Sequence, residues 1–222
     1  MRINLNLDPL CRFYPIDDQN KNFLKHSVAA ELAGVDGIFI ETGESYTPIR
    51  RKLIENLVET IDVSVTVRSS YDEKWLEALK DIKPSMVIFE FDDSYLSRIE
   101  SSVAGVQVEN ILAGMISPLD IESVKQCAKL KCDYVFFDGK AYNGAKNINE
   151  EIAELNKISK LSALCGRLSI GSGIIGEFST RKLQKLADLN SIQELVIGQS
   201  VISESALNGY GKALDSIKNI IA

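Results

Sequence analysis

The sequence predicts one (β/α)8 barrel spanning residues 1–222, and three observations predict it. Short apolar runs alternate with longer amphipathic segments eight times, as βα units with parallel crossovers do. Two late apolar runs each meet glycine: R-L-S-I-G-S-G-I-I-G from Arg167 and E-L-V-I-G-Q-S from Glu194. In such a barrel the loops after the seventh and eighth strands are the usual grip for phosphate. Two strands also carry a polar face. Asn4, Asn6 and Asp8 oppose Leu5 and Leu7, and Ser64, Thr66 and Arg68 oppose Val63, Val65 and Val67. A strand covered by protein on both sides is nearly all apolar, so this polar face is expected to look into a closed lumen. A doubly wound open sheet is the alternative, but the G-x-G-x-x-G fingerprint is absent after the first strand. No composition shift, low-complexity tract or long linker marks a second domain.

Periodicity and punctuation place the elements. Strand 1 is expected at Ile3–Leu7. Helix 1 follows over Lys21–Ala33, with Leu24, Val28 and Leu32 spaced by four and Gly34 as its stop. Strand 2 is Gly37–Ile40. Helix 2 follows Pro48 and carries the stripe Ile49, Leu53, Leu57, Ile61. Strand 3 is Val63–Val67, helix 3 Asp72–Ile82, strand 4 Met86–Phe89 and helix 4 Tyr95–Val103. Strand 5 is placed at Val108–Ala113, and helix 5 begins after Pro118 with Ile121, Val124 and Ala128 on one face. Strand 6 is Tyr134–Phe137, and helix 6 carries Ile152, Leu155, Ile158 and Leu161. Strand 7 is Leu168–Ile170, helix 7 Ser179–Ala187 and strand 8 Glu194–Ile197. A last helical region ends with Tyr210, Leu214, Ile217 and Ile221.

Bulk properties narrow the function. The net charge is −6 and no Lys or Arg stripe forms, which argues against nucleic acid while leaving room for a small phosphate pocket. Cys11, Cys127, Cys132 and Cys165 lack metal-ligand spacing and read as reduced thiols. The N-terminal M-R-I-N-L-N-L-D has polar residues where a signal peptide needs an apolar core, and no segment reaches membrane-span length. The expectation is a cytoplasmic protein with neither nucleic acid nor membrane as partner.

The expected site lies at the C-terminal rim of the strands. Gly171, Gly173 and Gly198 leave backbone bare near helix starts, where free N–H groups and the helix dipole suit an anion. The alternative for each is an ordinary strand-to-helix turn. Ser172 and Ser200 either add hydroxyl donors or cap helices. Asn6 and Asp8 orient a ligand group or pair with each other, and Arg12 is placed to reach a phosphate from the first loop. Glu41 is the candidate general base if neighbouring Glu90 or Asp138 and burial raise its pKa; the alternative is a salt bridge to Arg68. Arg68 is itself a candidate for bidentate phosphate contact. Asp138 and Lys140 resemble groups of sugar-phosphate barrels, although an Asp-Gly turn explains Asp138 as well. Asp8, Glu41, Glu90 and Asp138 have no spacing that requires a divalent cation, so no metal is expected.

N-L-D at 6–8, A-G-V-D-G-I at 33–38, G-S-G-I at 171–174 and E-L-V-I-G-Q-S at 194–200 together resemble the pyridoxine 5'-phosphate synthase family. The resemblance runs almost end to end, including S-V-I-S-E-S-A-L-N-G-Y-G-K-A-L at 200–214. It implies a barrel that condenses 1-deoxyxylulose 5-phosphate with an amino-ketone phosphate, using acid–base groups at the mouth and neither metal nor cofactor. Of the family's N-x-D-H, Asn6 and Asp8 match and Pro9 stands at the histidine. The histidine after strand 2 falls on Glu41, the glutamate base of strand 3 on Thr66, and the proton-donating histidine of G-H-G on Ser172. Gly173 and Gly198 are retained, and Gln199 replaces the histidine of I-G-H. The Arg-rich stretch falls on Gly43–Pro48, which contains no arginine, and the loop after strand 4 is short. His26, the sole histidine, lies in helix 1.

Backbone positions thus survive while titrating groups are replaced, and neither Ser172 nor Thr66 exchanges protons near neutral pH. Three readings follow. The first is a barrel binding a small phosphorylated metabolite, with Glu41 as base, Asn6 and Asp8 orienting, and Gly173, Gly198 and Gln199 holding phosphate. The second is a non-catalytic relative that binds a ligand or partner. The third is a phosphate-binding isomerase barrel, which would want an acid on strand 5. Homo-oligomerisation is expected, with the Ile49–Ile61 helix as one possible contact face.

Overall fold

The computed structural model describes residues Met1–Ile221. Eight parallel strands close in sequence order, each pairing with the next and the last with the first. They are β1 (Arg2–Asn6), β2 (Gly37–Glu41), β3 (Ser64–Arg68), β4 (Met86–Glu90), β5 (Leu112–Ser117), β6 (Tyr134–Asp138), β7 (Gly171–Ile175) and β8 (Glu194–Ile197). Around them run α1 (Ile16–Leu32), α2 (Pro48–Thr60), α3 (Glu73–Ile82), α4 (Leu96–Gln107), α5 (Ile121–Lys129), the short α6 (Lys140–Gly144), α7 (Ile148–Arg167), α8 (Thr180–Ala187) and α9 (Gln199–Ile221). This is the (β/α)8 barrel. No described helix is long and apolar enough to cross a membrane.

Several helices start on caps legible in the sequence. Thr47, Asp72, Asp120 and Asn147 each accept a backbone N–H from the first turn of α2, α3, α5 and α7. Two expected strands are displaced. Val108 caps the end of α4, and Asn110 turns left-handed at φ 61° before β5, so the 108–111 run belongs to the helix exit. Likewise Leu168 caps α7 and Ser169 has φ 60°, so β7 begins three residues later than its expected start. Gly171 and Gly173 therefore lie inside β7, not in the loop after it.

The lumen explains those glycines. Phe39, Ile88, Phe136 and Val196, one from each even-numbered strand, pack with Met86 and Ile116 into a closed inner cluster. A Cβ on Gly171 would lie 2.3 Å from the Tyr134 ring, and one on Gly173 would lie 2.4 Å from the Phe136 ring. Large side chains on β6 are matched by missing ones on β7, as a tapered barrel requires. Below this cluster, at the N-terminal end, Asn4 donates to the buried Glu194 carboxylate at 2.6 Å, joining first strand to last. The expected polar face of strands 1 and 3 does line the lumen, with Asn4, Ser64 and Thr66 bordering one small cavity there.

The same end carries a recurring clamp. Asp36, Ser85 and Asp133 each precede an even strand and donate a backbone N–H to a carbonyl near the start of the odd strand before it, at Ile3, Val65 and Ala113. Each side chain accepts the N–H of that same residue in return.

Candidate active site

The mouth is built from the strand ends upward. After β1 the chain turns into a 3-10 segment, Asp8–Arg12, with Pro9 in its first turn. Asn6 Oδ1 accepts the Asp8 N–H at 2.9 Å and fixes the turn. The Asp8 carboxylate accepts the Glu41 N–H at 2.9 Å through Oδ2, while Oδ1 accepts from Nη2 of Arg50. Arg50 sits in the first turn of α2, donates from Nε to the Glu41 carbonyl at 2.7 Å, and lies 5.6 Å over the Phe23 ring. Its third donor, Nη1, meets only the Cys11 thiol at 3.8 Å.

Asp8 is the perturbed acid of the mouth. Its side chain retains 21% exposure, yet desolvation outweighs Arg50, and Glu41 adds a like charge; the pKa is pushed up to about 6. Desolvation also raises the Cys11 thiol, against the pull of Arg50, although the residue lies at the surface.

Glu41 is held differently. Arg68 donates from Nη1 to Glu41 Oε1 and from Nη2 to Glu90 Oε2, each at 2.8 Å. All three side chains are more than a third exposed. This is the salt-bridge alternative for Glu41, and it leaves Arg68 with both terminal nitrogens engaged. Asp138 accepts the Lys140 N–H at 2.8 Å, the turn geometry expected of Asp-Gly.

The corner after β8 differs from the expectation. Oε1 of Glu177, from the loop after β7, accepts the N–H groups of Gly198 and Gln199 at 2.8 and 2.6 Å. Oε2 accepts the Ser200 N–H at 3.0 Å and the Ser200 hydroxyl at 2.7 Å. The donors expected to hold phosphate thus hold the chain's own carboxylate. Gly198 is glycine because a Cβ would lie 2.5 Å from the Asn6 carbonyl oxygen. Arg12 reaches this corner and donates to Gln199 Oε1 at 3.2 Å. Ser172 and Gly173 do not reach the mouth. They lie near the start of β7, where Ser172 donates to the Ser191 carbonyl at 2.6 Å and Gly173 pairs with Glu194. The two glycine corners therefore do not converge on an anion, because strand 7 starts later and its mouth end is Ile175 and Gly176.

A cleft of about 420 Å3 lies between the first two βα loops, bordered by Asp8, Cys11, Asn20, Thr42, Thr47 and Arg50. Among the described residues no group of three or more His, Cys, Asp or Glu is placed to hold a metal ion. His26 is outside the mouth: its ring bridges the hydroxyls of Tyr14, at 3.0 Å, and Tyr210, at 2.7 Å.

The profile of the family "Pyridoxal phosphate biosynthesis protein PdxJ" matches residues 17–222. The chain belongs to the PdxJ family. Similar curated relatives are the "Pyridoxine 5'-phosphate synthase" of Geotalea uraniireducens, 24% identical over 86% of both chains, and that of Prochlorococcus marinus, 23% identical over 87% of this chain and 86% of the relative. Solved structures of similar fold include "Native KDPGal structure" (TM-score 0.68, 10% identity, covering 99% of this chain and 94% of that one). Another is "Crystal structure of KGPDC from Streptococcus mutans" (TM-score 0.65, 15% identity, covering 90% and 94%).

Within this PdxJ barrel, the structure brings Asn6, Asp8, Arg12, Glu41, Arg68, Gly198 and Gln199 to one rim and leaves Ser172 and Gly173 below it. Two rim residues escaped sequence reasoning. Arg50 had a signal: a basic residue in a helix's first turn opposes the macrodipole and so implies a tertiary partner. Glu177 had none, since its partners lie across the next helix and strand.

Proposed function

We propose that this PdxJ-family barrel is an enzyme acting on a phosphorylated ketone or sugar, with Asp8 as its acid–base group and Arg50 as the ligand's anion contact. The observation that carries this reading is the Asp8 carboxyl, paired with Arg50, lining the cleft between the first two βα loops and raised to about 6. An acid titrating there exchanges protons near neutral pH, the task left open by the replaced histidines. Glu41, tied to Arg68, serves to fix the floor. Arg50 Nη1 has only a thiol partner, and Asn20 and Thr47 border the same space, so an oxyanion gains a charge-assisted contact there.

The test is titration with 1-deoxyxylulose 5-phosphate, with and without an amino-ketone phosphate, on the wild type and Asp8→Asn. Turnover that drops at least a hundredfold in Asp8→Asn while binding persists supports the reading. Undiminished turnover in the variant removes Asp8 from the chemistry. A second reading, a binding barrel without the reaction, draws on Glu177 filling the corner after β8; equal binding and no turnover in both proteins is its signature. The isomerase reading lacks support, because β5 (L-A-G-M-I-S) carries no acid.

A further inference from the structure

Glu177 changes what the rim can accept. Its two oxygens satisfy three consecutive backbone N–H groups and one hydroxyl, all within 3.0 Å. These are the donors that an external oxyanion would need. An incoming phosphate must expel a carboxylate tethered a few bonds away, which competes at an effective concentration of roughly millimolar or above. If the carboxylate stayed nearby, two anions would share one corner and repel. Arg12, which reaches this corner, is engaged with the neutral Gln199 amide.

The opposite side of the mouth is built the other way. There the carboxylate, Asp8, is matched by Arg50, and one guanidinium nitrogen still faces the cleft with a weak partner. The rim therefore has one corner closed to anions and one cleft with a cation to offer.

We propose that Glu177 is a specificity-determining residue: it occupies the corner after β8, so the mouth takes a ligand with a single anionic group, seated at Arg50. Any second reactant is one that brings no phosphate to the β8 corner. The one-anion substrate class rests on the Arg50 reading above; the closure by Glu177 does not.

The experiment is titration with inorganic phosphate, followed by amide NMR, of the wild type, Glu177→Gln and Glu177→Ala. Gln keeps the shape and part of the hydrogen bonding, so at least one variant keeps the fold, checked by thermal melting. The amides of Gly198, Gln199 and Ser200 are expected to stay unmoved in the wild type up to tens of millimolar phosphate. In the variants they shift, with a midpoint at least tenfold lower. The same midpoint in all three proteins overturns the proposal, as does a folded Glu177→Ala whose amides never respond. The Arg50 Nε–H and Asn20 side-chain signals report the other cleft separately. Their silence in every protein removes the Arg50 seat, and with it the one-anion class, while leaving the Glu177 result standing.

Discussion

Asp8 shows how a single side chain acquires a useful acidity. Three groups decide it: the protein walls that strip water, the Arg50 guanidinium that opposes protonation, and the Glu41 carboxylate that favours it. The first wins, so the folded pKa of about 6 lies above the ordinary aspartate value near 3.9. A raised carboxyl pKa means that the native state binds the proton more tightly than the unfolded chain. The resulting stabilisation is present below the unfolded pKa and is lost as pH rises from about 4 to about 6. Asp8→Asn removes this titration. In urea unfolding at matched pH values, the wild type should lose roughly 1–3 kcal/mol relative to Asp8→Asn between pH 4 and pH 6.5. A constant difference across that range would show that Asp8 is not perturbed. Arg50, half-buried beside it, brings a guanidinium to the cleft.

Elements carry the packing logic. Gly173 sits in β7 because Phe136 of β6 fills the space its side chain would take. Gly173→Ala should cost about 1–3 kcal/mol by overpacking the space the Phe136 ring already fills. Phe136→Leu alone should also destabilise, but the double variant should lose less than the sum, since the smaller residue yields the room that alanine needs. Additive losses in urea melts would deny the contact. This pairing also explains what the sequence disclosed. Strands 2, 4, 6 and 8 and helix 3 were legible, because β-branched and aromatic runs there end at strong punctuation. Strands 5 and 7 were shifted because each follows a helix whose apolar end, Val106–Val108 or Leu164–Leu168, continues into the strand's approach. The breaks are left-handed turns at Asn110 and Ser169, and Ser169 carries no local signal for that conformation. At the rim, Asn6, Glu41 and Arg68 close their strands, so their position could be read from the sequence, whereas Asp8 lies in the 3-10 turn beyond β1. Contacts made across loops, such as Glu177 to Ser200 or Arg50 to Asp8, depend on closure of the barrel, and no local pattern encodes them.

At the scale of the molecule, one closed sheet sets the mouth and the base in opposition. The mouth holds the charged groups of the proposed chemistry; the base holds the Asn4–Glu194 seam and the clamps at Asp36, Ser85 and Asp133. Burial raises Glu194 as well, but that carboxyl is enclosed at the base and faces no cleft of ligand size. Those clamps recur at nearly even intervals of the chain, one to each of the first three pairs of strands, and every one closes within its own pair. Dividing the polypeptide after Asn110 leaves every clamp intact and the five-residue β4–β5 register free to re-form, so residues 1–110 and 111–222 produced as separate chains should co-purify as a reconstituted barrel.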